Sequence, residues 1–179
     1  KVNVINVSSF DPIDLSWDEI GPISFNIEAK SFASGSYRDC FKAKTLSTAL
    51  KGFKTFVIKE FSEEALQLFE NATNLGRASY NEKDQAKKTL QMHELARYFS
   101  DRIENTVPSD IYGKFLKYQQ IYFGEYCANR LQHFVTIEPY LEGVFTKHVN
   151  NDGNIFKDSK ASEIVKDIGL KAESLCHYS

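Results

Sequence analysis

The sequence predicts an α+β fold in which a mostly antiparallel, twisted sheet is combined with one long helix. Residues 2–7 and 23–30 alternate apolar and polar side chains, as half-buried strands do. Residues 53–61 form a strongly β-prone run. From residue 80 to about residue 102, apolar side chains recur at spacings of three and four, which is typical of a helix. Several strands, a long helix and further strands therefore follow one another along the chain.

The composition indicates a folded globular chain. It has 179 residues, of which 42% are hydrophobic and 26% charged. This length allows one domain or one large lobe of a bigger domain. The net charge is -2, and lysines and arginines are interspersed with acidic residues. Such a charge distribution argues against nucleic acid as a partner.

The cysteines and the apolar runs suggest a cytoplasmic protein without a membrane span. Cys40, Cys127 and Cys176 are odd in number and widely spaced, which is typical of a reducing compartment. No apolar run approaches the roughly 18 residues that a membrane span needs. The chain starts without an initiator methionine or a signal-peptide core, so we expect it to be cut from a longer protein.

The first two predicted strands form an antiparallel pair. Residues 2–7 and 23–30 are these strands, and segment 11–22, with its two prolines, is predicted to connect them. Residues 1–20 are accordingly interpreted as a leading strand and linker segment.

The next predicted strands surround a glycine turn. Residues 32–44 are interpreted as two strands pinched around Gly35, because glycine adopts positive φ and lets backbone N–H groups approach a ligand. Residues 53–61 then form a central strand, and Lys59 lies inside it.

Two helices follow in the prediction. A short amphipathic helix begins at residue 63 and breaks near residues 74–76, and the longest helix covers residues 80–102. Segment 112–126 fits either a pair of strands or a helix followed by a strand. Residues 134–139 form a strand that ends at proline, Gly153 closes a turn, and residues 161–175 form a last helix.

Lys59 and Gly35 are candidate phosphate-binding residues. Phosphate needs a cation and backbone donors, and a strand lysine with a glycine turn before it and a long helix after it is the layout of a kinase-like nucleotide lobe. A solvent-facing lysine and an ordinary tight turn are the alternatives.

A second motif lies about eighty residues downstream. It comprises Glu138-Pro139, Gly143, Phe145, Lys147 and the turn Asn150-Asn151-Asp152-Gly153. Together with Gly35, Arg38, Phe41 and Val57-Ile58-Lys59, this motif resembles the alpha-kinase family of atypical protein serine/threonine kinases.

The resemblance implies a nucleotide site. Glu138 and the backbone near Tyr140 would form the hinge that reads the adenine edge, and Lys147 and Asn151 would lie close to the floor of the phosphate site. Gly35, Arg38 and Lys59 would hold the phosphates of ATP.

Two further residues acquire roles through the resemblance. Ile58 replaces the small residue of the family motif and would alter the ceiling of the nucleotide pocket. Glu94 on the long helix is a candidate ion-pair partner for Lys59, although a glutamate on the helix surface is the commoner outcome.

Metal ions are implied by the resemblance as well. His177 matches one of the four ligands of a structural zinc site, and Cys176 falls where the family has a small residue. A tetrahedral site needs four ligands, so the zinc site is incomplete in this segment. Mg²⁺ would accompany ATP, and carboxylates would bind it.

The resemblance predicts a kinase-like amino-terminal lobe over residues 20–179, truncated before the catalytic carboxylates. It implies ATP-dependent phosphoryl transfer to serine or threonine of a protein substrate, with this chain carrying the ATP-binding part and inactive alone. The alternatives are a non-catalytic nucleotide-binding or scaffolding module, and an interaction domain that binds no nucleotide.

Overall fold

The computed structural model describes residues 2–50, 52–76, 81–107 and 117–143. All the described strands and helices belong to the larger of two compact units into which the chain divides. The predicted turn at Gly153 and helix 161–175 lie outside the described residues.

The chain begins with a long hairpin. Strands β1 (Val2–Asp11) and β2 (Ser16–Ile27) pair antiparallel, and a bulge lies between Val7 and Ser8. The predicted pairing is confirmed, but the predicted connection over 11–22 is wrong, because most of it is strand β2. Its polar residues Ser16, Asp18 and Glu19 are exposed, and the bulge accommodates the extra residue Ile20 between the pairs Val7–Gly21 and Ser8–Glu19. The two prolines therefore do not mark the ends of one long loop.

The strands around the glycine turn agree with the prediction. β3 (Ala33–Ser34) and β4 (Arg38–Lys44) pair antiparallel, and β4 pairs in turn with β5 (Thr55–Phe61). β5 lies between β4 and β7 (Leu131–Pro139), so it is a central strand as expected.

Both predicted helices in the described part are present and capped. In α1 (Glu63–Asn74), the side chain of Ser62 accepts a hydrogen bond from the backbone of Ala65. In α2 (Glu82–Thr106), Asn81 accepts one from the backbone of Asp84. Each cap satisfies one of the donors that a helix start leaves without an intrahelical partner.

The last two strands form a tight hairpin. β6 (Tyr122–Ala128) pairs antiparallel with β7, and the loop consists of Asn129 and Arg130, with φ of 52° and 67°. Two consecutive residues with positive φ are typical of the hairpin turns that match strand twist. The described end of segment 112–126 is therefore a strand, and β7 begins three residues earlier than predicted.

The seven strands form one antiparallel sheet in the order β2-β1-β6-β7-β5-β4-β3. β2 also pairs with β4 through Asn26 with Lys44 and Ile27 with Ala43, so the sheet closes on itself like a barrel. Glycine is required at position 124 inside this barrel, because a Cβ there would lie 2.7 Å from Ile5 Cγ2 and clash with it. Twelve buried side chains fill the interior: Ile5, Val7, Ile23, Phe25, Ile27, Ala43, Leu50, Phe56, Ile58, Tyr122, Val135 and Ile137.

A second core lies between α2 and the outside of the sheet. Ala86 and Leu90 of the helix pack with Phe10, Ile121 and Phe123, and none of these is more than 5% exposed. A mostly antiparallel sheet with one long helix is thus the architecture of the described residues, which confirms the predicted fold class.

Candidate functional site

The candidate site lies on the outward face of β4, β5 and β7. Alternate residues of these strands point into the barrel, so the intervening side chains share the opposite face. We call this the outer face. Its side chains are Arg38, Cys40 and Lys42 of β4, Val57, Lys59 and Phe61 of β5, Phe134, Thr136 and Glu138 of β7, and Tyr140 just after β7.

Lys59 and Glu138 form an ion pair on this face. Lys59 lies opposite Thr136, and Val57 lies opposite Glu138, so the two charged residues are diagonal neighbours. Lys59 Nζ donates a hydrogen bond of 2.6 Å to Glu138 Oε2. Both side chains are about 30% exposed, which leaves the pair accessible to a ligand. The structure therefore brings the predicted phosphate-binding lysine and the predicted adenine-binding glutamate together.

Ile58 does not border this pair, contrary to the expectation from the family motif. Its side chain is 1% exposed and belongs to the barrel interior, because neighbouring residues of a strand face opposite sides. Val57 is the apolar residue that shares the face with Lys59, and it lies between Lys42 and Glu138 in the sheet.

Cys40 lies directly opposite Lys59 in the sheet. Burial raises the pKa of its thiol, while the nearby charge of Lys59 acts to lower it and that of Glu138 to raise it. The thiol is therefore neutral at physiological pH. The Cys40 thiol therefore reacts slowly with labelling reagents, and its labelling reports on the accessibility of the outer face.

Tyr140, Lys42 and Phe32 form a cluster at one end of the outer face. Lys42 Nζ lies 3.9 Å from the centroid of the Tyr140 ring, and the ring of Phe32 meets that of Tyr140 edge to face at 6.1 Å. The backbone N–H of Tyr140 donates to the carbonyl of Thr55. Because this N–H is already hydrogen-bonded within the sheet, the aromatic ring is the part of Tyr140 that is available to contact a ligand.

Arg38 lies at the other end of the face, towards α2. Its guanidinium is 3.5 Å from the centroid of the Phe61 ring, and one of its nitrogens lies 3.5 Å from Thr89 Oγ1. Arg38 thus joins β4 to the long helix.

The glycine turn has a different geometry from the one predicted. Positive φ occurs at Gly21, Gly52, Gly76 and Gly143 among the described glycines, but not at Gly35. The Gly35 N–H donates to the carbonyl of Arg38 at 2.9 Å and closes the turn. A Cβ at this position would meet nothing closer than 3.9 Å, so the fold itself does not require glycine here.

Glu94 is buried and does not pair with Lys59. It is 1% exposed, its Oε2 accepts from Arg97 Nε at 2.7 Å, and its Oε1 accepts from the backbone N–H of Ile121 at 2.9 Å. The expectation of a surface glutamate is wrong, because α2 turns this position towards the sheet beside Leu90. Arg97, three residues along the helix, was the one sequence signal for a partner.

An acidic cavity, which the sequence did not predict, lies beside the start of both helices. It has a volume of about 520 Å³ and is lined by Asp39, Glu60, Glu63, Glu64 and Glu82 together with His133 and four other residues. Burial raises the pKa of Glu82, and burial together with the Glu60 carboxylate raises the pKa of Tyr126 to about 12. Phe61 lines this cavity and also belongs to the outer face, so the cavity adjoins the end of that face at which Arg38 lies.

Lys147, Asn151 and His177 lie outside the described residues, so their predicted roles remain predictions. In the part of the chain that the structure describes, no group of three or more His, Cys, Asp or Glu side chains is arranged to hold a metal ion. None of the helices in the described ranges is both long and apolar enough to cross a membrane.

The model of the alpha-kinase family matches residues 33–179. A search of curated proteins finds no match. Among solved structures, the alpha-kinase domain of myosin heavy chain kinase A in complex with AMP is similar with a TM-score of 0.67 at 18% identity, over 96% of this chain and 77% of that chain.

A second structure of that domain, in complex with AMP-PNP, gives a TM-score of 0.65 at 19% identity over 96% of this chain and 74% of that chain. At these identities the likeness shows a shared fold. The sheet and long helix described above correspond to the amino-terminal lobe of that fold. Since the family model covers most of the sequence, this chain belongs to the alpha-kinase family.

Proposed function

We propose that the outer face binds ATP as part of an alpha-type protein kinase, which transfers the terminal phosphoryl group to serine or threonine of a protein substrate. The observation that carries this proposal is the pairing of Lys59 with Glu138 on an accessible sheet face. The alpha-kinase domain of myosin heavy chain kinase A, which shares the fold, has been solved with AMP and AMP-PNP, and an inactive variant of it with ATP.

Lys59 would bind phosphate in this proposal. Its ammonium carries three hydrogen-bond donors. Glu138 accepts from it in the unbound structure, and a bound phosphate group would take over as its partner. Arg38 and Gly35 lie at the end of the face nearer α2 and the β3–β4 turn. There they would contact the phosphates if the Gly35 N–H exchanges its bond to Arg38 for one to the ligand.

Glu138 and Tyr140 would hold the adenine. An ionised carboxylate only accepts hydrogen bonds, and the amino group of adenine donates them, so the two groups are complementary. The Tyr140 ring adjoins this position and offers a surface on which a base can stack. Val57, which lies opposite Glu138 in the sheet, would supply an apolar contact.

The remaining assignments rest on the family resemblance. Lys147 and Asn151 would support the phosphates, Mg²⁺ would accompany ATP, and His177 would contribute to a structural zinc site. Because the described residues contain no arranged group of metal ligands, we assign none of them to either ion. The free thiols of Cys40 and Cys127 fit a reducing, ATP-containing compartment such as the cytoplasm.

Calorimetric titration with ATP tests the proposal. Lys59→Met should weaken ATP binding by about ten- to a hundredfold, since a hydrogen bond to a charged group is worth about 1.5–3 kcal/mol. Lys88→Met, on the exposed side of α2, is the matched control and should bind like wild type.

Equal affinities of wild type and Lys59→Met would contradict the proposal. The two versions of the function are separated by a radiolabelled phosphoryl-transfer assay on the longer protein of which this chain is expected to be a part, because the ATP-binding part alone is expected to be inactive in both versions. Binding with transfer supports the kinase, whereas binding without transfer supports the non-catalytic nucleotide-binding module.

A further inference from the structure

We infer that Phe32 and Lys42 are additional base-binding residues, which form with Tyr140 a stacking and donor site for the purine of the nucleotide. We call these three residues the aromatic–lysine cluster. The inference rests on the proposed function, because it concerns the same outer face. It extends that function to two residues that neither sequence motif names.

The position of Lys42 in the sheet places it beside the proposed adenine site. Lys42 pairs with Val57 across β4 and β5, and Val57 pairs with Glu138 across β5 and β7. Lys42 and Glu138 therefore flank one apolar residue from its two sides. A flat base lying over Val57 would have an ammonium along one edge and a carboxylate along another.

Phe32 is a large apolar side chain that remains half exposed beside Tyr140. Its position is fixed by the sheet, because its backbone N–H donates to the carbonyl of Cys40 at 3.0 Å. Exposed aromatic rings with a fixed backbone are well suited to stack on a base, since every base offers a π face. A base that stacks on this ring therefore does not have to order the backbone of Phe32.

The chemistry of Lys42 defines what it would recognise. An ammonium only donates hydrogen bonds, so its partner on the base must be an acceptor such as a purine ring nitrogen. In the unbound structure the same ammonium lies over the Tyr140 ring, where the electron-rich face attracts it. Donor Lys42 and acceptor Glu138 would together match the acceptor and donor groups on the rim of adenine.

The alternative for Lys42 is a purely structural role, in which its stem covers the Tyr140 ring. In such a role, Lys42→Met would lower the thermal stability of the chain together with its affinity for nucleotide. A base contact would weaken adenosine as strongly as ATP, because both carry the same base, and would leave the thermal stability unchanged.

The test compares affinities for ATP and for adenosine, the latter measured by competition against a fluorescent ATP analogue. Lys42→Met should weaken both ligands by a similar factor of about five to ten, and Phe32→Ala should do the same. Lys59→Met should weaken ATP much more than adenosine. Lys42→Arg, which keeps a cationic donor, should retain affinities within about threefold of wild type, and Lys88→Met serves as the control.

Two outcomes overturn the inference in distinguishable ways. If Lys42→Met and Phe32→Ala bind adenosine like wild type while Lys59→Met has lost ATP affinity, the proposed function stands and the cluster has no role in it. If the wild-type chain binds neither ligand, the proposed function fails and this inference fails with it. Thermal melting of each variant identifies a loss of affinity that comes from unfolding.

Discussion

The ion pair between Lys59 and Glu138 matters more for where it holds the ammonium than for the stability of the fold. Both side chains are partly solvated, and such an ion pair contributes less than about 1 kcal/mol to stability. The carboxylate instead limits the orientations of a flexible ammonium on the outer face. A ligand phosphate would find that ammonium already in position, which reduces the ordering cost of binding.

Cys40 provides a residue-scale prediction, since it lies opposite Lys59. The thiolate is the reactive form, and burial raises the pKa of the Cys40 thiol above its ordinary value. At pH 7.5 Cys40 should therefore react with iodoacetamide more slowly than the exposed Cys127, and its rate should keep rising with pH beyond the ordinary thiol pKa. Mass spectrometry of cysteine-containing peptides measures each rate separately.

Saturating ATP should slow the labelling of Cys40 several-fold and leave Cys127 unchanged, because a bound nucleotide would cover the outer face. Cys127, near the β6–β7 turn, is the internal control in the same sample. Faster labelling of Cys40 than of Cys127 would show that burial does not shield the Cys40 thiol. Equal Cys40 rates with and without ATP would show that the nucleotide does not cover it.

The sequence predicted which residue types form the site better than it predicted their surroundings. Lys59 in a β-prone run and Glu138 before a proline were recognisable, because each belongs to a local motif. The side on which Ile58 lies depends on which face of the sheet is the core. The burial of Glu94 depends on the rotation of α2, and neither property is local.

At the scale of elements, α2 is attached to the segment that leads into β6. Glu94 accepts from the N–H of Ile121, and His93 Nε2 is 2.8 Å from the carbonyl oxygen of Gln119. Lys117 also pairs with Glu104 of the helix. Because Tyr122 pairs with Ile137, this attachment lies next to the end of β7 that carries Glu138.

Removing the buried carboxylate should weaken the whole fold. Glu94→Ala leaves the Ile121 N–H without its acceptor and Arg97 without its partner, so the free energy of unfolding should fall by about 2–4 kcal/mol. Urea denaturation measures this change. Glu94→Gln is the control, because its amide oxygen can still accept from Ile121, and it should cost at least about 1 kcal/mol less. Equal stability of Glu94→Ala and wild type would refute the anchoring role.

Element types were easier to predict than element limits. Helices α1 and α2 follow from their apolar spacing, and both begin after side chains that cap their first turn. More than half of β2 was missed, because Gly21 and Pro22 resemble a loop when the bulge of β2 against β1 is unknown. The two-residue turn at Asn129 and Arg130 carries no glycine, so the β6–β7 hairpin lacked its usual sequence signal.

On the scale of the whole molecule, closure of the sheet separates the core from the candidate site. Thr45, just after β4, donates through Oγ1 to the carbonyl of Ser24 on β2, close to the two pairs that join these strands. The interior is thereby filled with apolar side chains, and charged residues are left to the outside. The sequence could not show this closure, because it joins strands separated by other elements and depends on their curvature. The boundary predicted at residue 20 remains a prediction, and β2 continues across it.

The most direct test of the account is a map of backbone amide chemical shifts during titration of the isotope-labelled chain with ATP. We expect the largest changes at Cys40, Lys59 and Glu138, and little change at Val4 and Ser24 on the opposite β1–β2 hairpin, because the nucleotide is proposed to lie on the outer face alone. Changes concentrated at the hairpin or around the acidic cavity, with Lys59 and Glu138 unaffected, would contradict the account.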